Sequence, residues 1–156
     1  MGFPHPIGGS ILLFLVQSSR RLCLRYSLPF RFMTIRGLAA QPPFTTKDGS
    51  TIRSLLDRTN APVQKQSLAE ARLPTGGFTQ RHYHRVTEEF YFIEEGTGTM
   101  EIDGQKESVG PGDAILIPAG AWHQITAGPD PLRFLCCCAP PYSHEDTFFE
   151  DDGFLA

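Results

Sequence analysis

Gly76-Gly-Phe-Thr-Gln-Arg-His82-Tyr-His84-Arg-Val-Thr-Glu88-Glu89-Phe-Tyr-Phe-Ile-Glu-Glu-Gly96 is the stretch that decides the fold. Its two histidines stand at i and i+2, which puts both side chains on one face of a β-strand. Val86, Phe90, Tyr91, Phe92 and Ile93 are β-branched or aromatic, so the stretch reads as a strand, a short turn and a second strand. Glu89, five positions beyond His84, is expected to return to the same site once the next strand pairs. Two imidazoles and a carboxylate converging on one point are what a mid-series divalent metal needs. Strand alternation sets Gln80 on the face of His82 and His84, with Phe78 extending the row. It sets Tyr91 and Ile93 on the face of Glu89.

A second stretch, Gly112-Asp-Ala-Ile-Leu-Ile-Pro118-Ala-Gly120-Ala-Trp-His123, carries one more histidine onto another strand. Together the two stretches resemble the paired motifs of the cupin superfamily. The first motif matches at Gly76, His82, His84, Glu89 and Gly96. The second matches at Gly112, Pro118, Gly120 and His123, and departs at its last position, a turn Asn that is Ala127 here. The resemblance covers roughly residues 60–142. It implies that His82, His84, Glu89 and His123 are the ligands of one divalent transition metal (Fe, Mn, Ni, Co, Zn or Cu). Glu88 also meets the spacing, but Glu89 places Gly96 at the family distance and leaves Glu88 facing outward. The resemblance further implies an RmlC-like double-stranded β-helix, a jelly-roll barrel, with an N-terminal arm that packs on a neighbouring subunit to make a homodimer.

Composition points the same way. Gly and Pro are abundant, and short apolar runs recur about every 8 to 12 residues, which reads as all-β. The 156 residues suffice for one domain. All 17 acidic residues lie from Asp48 onward, against eight basic ones over the same span, so no basic stripe is available for nucleic acid. Three of the four cysteines are consecutive, Cys136-Cys137-Cys138, and neighbouring strand residues point to opposite faces. The simple reading is small apolar side chains filling a strand in a reducing compartment. The sharper one puts Cys136 or Cys138 in the pocket beside the metal.

Along the chain, residues 1–32 read as a disordered leader. Ile11–Val16 is too short to span a bilayer, and its basic residues follow the apolar run rather than precede it. An organellar transit peptide, or a start at Met33 in a cytoplasmic protein, fits better than a secretory signal. Residues 33–59 read as an irregular arm and 60–142 as the barrel. Residues 143–156 read as an acidic tail, in which His144, Glu145 and Asp146 are poorly spaced for a second metal site. Strands are expected at Ile52–Leu56 (or a helical turn there), Ser67–Leu73, Thr99–Ile102, Lys106–Val109, Ala114–Ile117 (buried), Trp122–Thr126 and Leu132–Cys138. Asp103-Gly104 marks a type I′ hairpin. In the last strand Arg133 faces out, and Leu132, Phe134, Cys136 and Cys138 face in.

The pocket is then expected to be mostly apolar, with Phe78, Tyr91, Phe134 and Gln80, and to bind a small molecule. It offers no Lys or Arg pair for a phosphate, which argues against a sugar-phosphate isomerase of the phosphomannose isomerase type. The expected function is a mononuclear metal enzyme of dioxygenase, isomerase or lyase type. The alternative is a non-catalytic metal- and ligand-binding module. Besides the ligands, Tyr91 and Gln80 are the weak candidates for acid–base work. Affinity for the metal should fall as pH drops through the histidine range.

Overall fold

The computed structural model describes residues 33–150, and residues 34–150 belong to one compact unit. The leader expected at residues 1–32, and the end of the tail at 151–156, lie outside the described residues. Eleven strands follow one another: β1 (Phe44–Thr45), β2 (Thr51–Leu56), β3 (Ser67–Leu73), β4 (His82–His84), β5 (Glu88–Glu95), β6 (Gly98–Ile102), β7 (Gln105–Val109), β8 (Ala114–Ile117), β9 (His123–Ala127), β10 (Leu132–Ala139) and β11 (Thr147–Phe149). The helical elements among the described residues are two 3₁₀ turns, Leu38–Ala40 and His144–Asp146. None is long and apolar enough to cross a membrane. The strands form two sheets, β1-β2-β3-β10-β5-β8 and β11-β4-β9-β6-β7, with antiparallel pairing between neighbours. This is the all-β jelly-roll barrel expected from the sequence.

Alternation builds the interior. In β5, Glu89, Tyr91 and Ile93 are buried while Glu88, Phe90 and Phe92 face out. In β10, Leu132, Phe134 and Cys138 are buried, and Phe134 lies opposite Ile93 across the ladder. Met100 and Ile125, paired between β6 and β9, close the core from the second sheet. Each such side chain, taken fully out of water, stabilises the fold by about 1.5–3 kcal/mol. One end of the barrel is thereby filled with apolar groups, and the histidines sit beyond it.

Two glycines show why the turns fall where they do. Asp103 and Gly104 both have positive φ (47° and 83°) and join β6 to β7, the expected type I′ hairpin. The Asp103 carboxylate also accepts from the Trp122 N–H at 2.9 Å, tying the hairpin tip to the start of β9. Gly96 has φ +78°, and a Cβ there would stand 2.2 Å from the Pro131 carbonyl oxygen. No side chain fits.

Three expectations are corrected. The segment read as an irregular arm supplies β1 besides the strand expected at Ile52–Leu56, and β1 and β2 extend the first sheet beyond β3. The segment read as irregular after residue 142 turns back as β11 and pairs with β4. Ala114–Ile117 is not a buried strand. As β8 it is the edge of its sheet, with only Ile117 buried and Leu116 51% exposed, because no strand or opposing layer covers its outer side.

Candidate metal centre

β4 and β9 are neighbours, and their register sets His82 directly opposite His123. His84 follows His82 on the same face, and β11 flanks it on the other side. The side-chain nitrogens of the three histidines lie within 4.8 Å of one another, and all three residues are buried. Glu89 joins them from the other sheet. This corrects the expected route: β5 pairs with β10 and β8, not with β4, so the carboxylate arrives across the barrel interior. Its Oε2 lies 3.4 Å from His84 Nε2 and 3.6 Å from His123 Nε2. Glu89 is buried, whereas Glu88 is exposed on the outer face.

The backbone fixes how each ring is presented. Nδ1 of His82 meets the Gln80 carbonyl at 2.7 Å, that of His84 the Asp146 carbonyl at 3.1 Å, and that of His123 the Ala121 carbonyl at 3.0 Å. A carbonyl can only accept, so each Nδ1 carries the proton and each Nε2 presents a lone pair inward. The 3₁₀ turn that supplies the Asp146 carbonyl is itself held by its carboxylate, which accepts from the N–H groups of Val86 and Thr87 at 3.1 and 2.9 Å. Carbonyls behind metal-bound histidines serve this orienting purpose.

Two of the inward atoms are left without hydrogen-bond partners. Glu89 Oε2 and His123 Nε2 are buried and make no hydrogen bond. Buried polar atoms are normally satisfied, and an orphaned pair aimed at one point is what a cation would satisfy. Three imidazole nitrogens and a carboxylate oxygen suit Fe, Mn, Ni, Co, Zn or Cu. The electrostatics agree. Burial, then His123 beside it, pushes His82 down to about 4, so the ring is neutral at physiological pH. Burial disfavours ionised Glu89, but His123 and His84, when their rings are protonated, outweigh it and hold its carboxyl well below the usual range. Burial likewise opposes a charge on His84, yet Glu89 raises it above its ordinary value.

The site opens into a cavity of about 650 Å³. Its buried wall includes Tyr91, Phe134 and Cys138, with Cys136 among them, so the sharper reading of the cysteines is the one observed. The remainder of the lining comes from residues 41–60, from β3 and from residues 142–147, including Asp48, Asp57, Tyr142 and His144. Arg58 is the only Lys or Arg among the lining residues. Gln80 does not share the histidine face. The chain around it is not strand, its side chain is exposed, and what it supplies to the site is its carbonyl. Phe78 is also exposed. Tyr91 does reach the cavity. The sequence leaves Tyr142 undecided between the barrel mouth and its outside, and it gives no sign that Asp146 stands behind His84, because both enter from a segment some 60 residues away along the chain. His144 hydrogen-bonds Tyr142, and among the described residues it is in no second metal cluster.

A family model described as "Cupin domain" matches residues 69–138. An uncharacterized protein of Methanocaldococcus jannaschii is 51% identical over 106 residues, 67% of this chain and 85% of that protein. The chain belongs to the cupin family. A dimethylsulfoniopropionate lyase of Ruegeria pomeroyi is 37% identical to this cupin over 82 residues, 53% of each chain. The solved structure of the polyketide cyclase RemF from Streptomyces resistomycificus matches with a TM-score of 0.62 and 27% identity, covering 74% of this cupin and 89% of that chain. Lyases, synthases and dioxygenases all occur among the relatives.

Proposed function

We propose that this cupin is a mononuclear metal-dependent enzyme acting on a small oxygen-bearing molecule, with His82, His84, Glu89 and His123 holding the metal. The observation that carries the reading is the orphaned Glu89 Oε2 and His123 Nε2, beside a cavity lined by His82, His84 and Glu89 and large enough for a small ligand. A bound divalent metal would supply Lewis acidity, or a place for O₂, at positions the protein leaves open. The protein's own part is to orient and to shield. Phe134, Tyr91 and the cysteine side chains keep the metal end apolar, which strengthens polar contacts made there. Burial, then the Glu89 charge, pushes Tyr91 and Cys136 well up, and burial pushes Tyr142 up to about 12. All three therefore face a ligand as proton donors, suited to hydrogen-bonding a substrate oxygen.

That same protonation favours a second reading, a binding module without catalysis. The buried groups near the centre hold their protons rather than accept one, and a general base is not evident among them. Of the enzyme types, lyase and dioxygenase chemistry fits better than sugar-phosphate isomerisation, because a single Arg58 is little to grip a phosphate dianion. We also infer a homodimer, since Phe90, Phe92 and Leu116 stand exposed together on the outer face of the first sheet, and light scattering tests it.

The deciding experiment is elemental analysis of protein purified without chelator or affinity tag, beside His84→Ala. The expected result is about one equivalent of transition metal per chain, largely lost in the variant. Absence of metal from the wild type, even after reconstitution, would overturn the reading.

A further inference from the structure

Of the three consecutive cysteines, Cys138 stands opposite Glu89 in the register of β10 with β5. Its thiol donates to Glu89 Oε1 at 3.2 Å, and the residue is buried. On its other side the register sets it opposite Ser67 of β3. The Ser67 hydroxyl oxygen in turn accepts from the Tyr142 N–H at 3.0 Å. The register thus sets a run across the sheet, from Ser67 through Cys138 to the Glu89 carboxylate.

The run ends on one oxygen only. Glu89 Oε1 is satisfied, while Oε2 is unpartnered and faces the histidines. A glutamate carboxylate turns easily about its last torsion. A free one could present either oxygen, or both, to a cation. A donor fixed on Oε1 removes that freedom. We propose that Cys138 is a positioning residue for the centre, holding Glu89 by Oε1 so that Oε2 alone is offered to the metal. The proposal rests on the metal reading above and goes beyond it by assigning a role to a side chain outside the ligand set. A thiol suits the position. It is small, it is buried, and it carries a hydrogen to donate.

The test is Co(II) binding by competition with a chromophoric chelator, on wild type, Cys138→Ala, Cys138→Val and Cys138→Ser. Circular dichroism and melting in chelator check that each variant folds. Losing a partner behind a ligand weakens metal affinity by about 10–100-fold, which is the loss expected for the Ala and Val variants. The Val variant fills the volume without a donor, so it answers if the Ala variant fails to fold. The Ser variant keeps a donor and is expected to bind close to wild type. Wild-type affinity in the donorless variants overturns the proposal. So does a Ser variant as weak as Ala, which would make packing the cause. A sulfur-to-cobalt charge-transfer band that disappears in Cys138→Ala also overturns it, since Cys138 would then be a ligand. If wild type binds no cobalt, the metal reading fails and this proposal with it. If wild type binds and the variants match it, only this proposal fails.

Discussion

Lowering the pH of the metal-free protein should expose the strain of burying His82. Its imidazole titrates near 6.5 when solvated and is pushed down to about 4 in the fold, first by burial and then by His123. A histidine depressed on folding contributes stability that is present above its unfolded value. That stability is lost as pH falls toward the folded value, because the unfolded chain then binds a proton that the native state refuses. Across this gap the loss is about 2 kcal/mol between pH 7 and pH 5, and about 3 kcal/mol by pH 4. The neighbours titrate at the edges of that window, and their part cancels when wild type is compared with a variant at His82. His84 is raised, so its contribution is complete below 6.5 and is lost only as pH rises through its folded value. Glu89 is depressed, so its contribution persists above 4.5 and declines only at lower pH. Urea unfolding in the presence of chelator, at pH 7 and pH 5, compares wild type with His82→Asn, whose amide can still donate to the Gln80 carbonyl. Wild type should lose about 2 kcal/mol more than the variant over this interval. Equal losses in the two proteins would refute the argument that His82 is held neutral by its surroundings.

Neighbouring carboxylates should behave oppositely: Glu88→Gln, on the outer face, leaves metal stoichiometry and affinity unchanged. Glu89→Gln weakens binding by more than the roughly 10–100-fold typical of groups behind a ligand, as competition titration will show. Gly104→Ala meets positive φ but open space and should cost about 1–2 kcal/mol in thermal unfolding. Gly96→Ala adds a collision with the Pro131 carbonyl and should cost more than about 3 kcal/mol, so equal losses would contradict the contact. Gln80→Ala should leave metal affinity as it was, because the residue acts through its carbonyl and its side chain is exposed.

What the sequence settled by itself was everything carried by short-range periodicity. His82 and His84 at i and i+2, the alternation of β5 and β10, and Asp103-Gly104 between two runs each fix a local geometry, and each is seen in the structure. The inward set Leu132, Phe134, Cys136 and Cys138 follows from a period of two alone. Alternation failed at Gln80, where the chain is not strand and the rule has nothing to act on. It could not tell that Ala114–Ile117 is a sheet edge either, since burial depends on what lies across from a strand and not on its own pattern.

Only the tertiary structure decided which sheet each candidate ligand comes from. Glu89 meets the histidines across the barrel because β5 and β4, though consecutive, belong to opposite sheets. It also brought the Asp146 carbonyl behind His84 and the Cys138 thiol onto Glu89, contacts between residues 62 and 49 positions apart. No local signal encodes such partners. A carbonyl orients a ring whatever side chain it carries, and a buried cysteine reads as packing until the register shows what lies opposite. Sequence periodicity chooses the face on which a side chain stands; closure of the barrel chooses what that face meets.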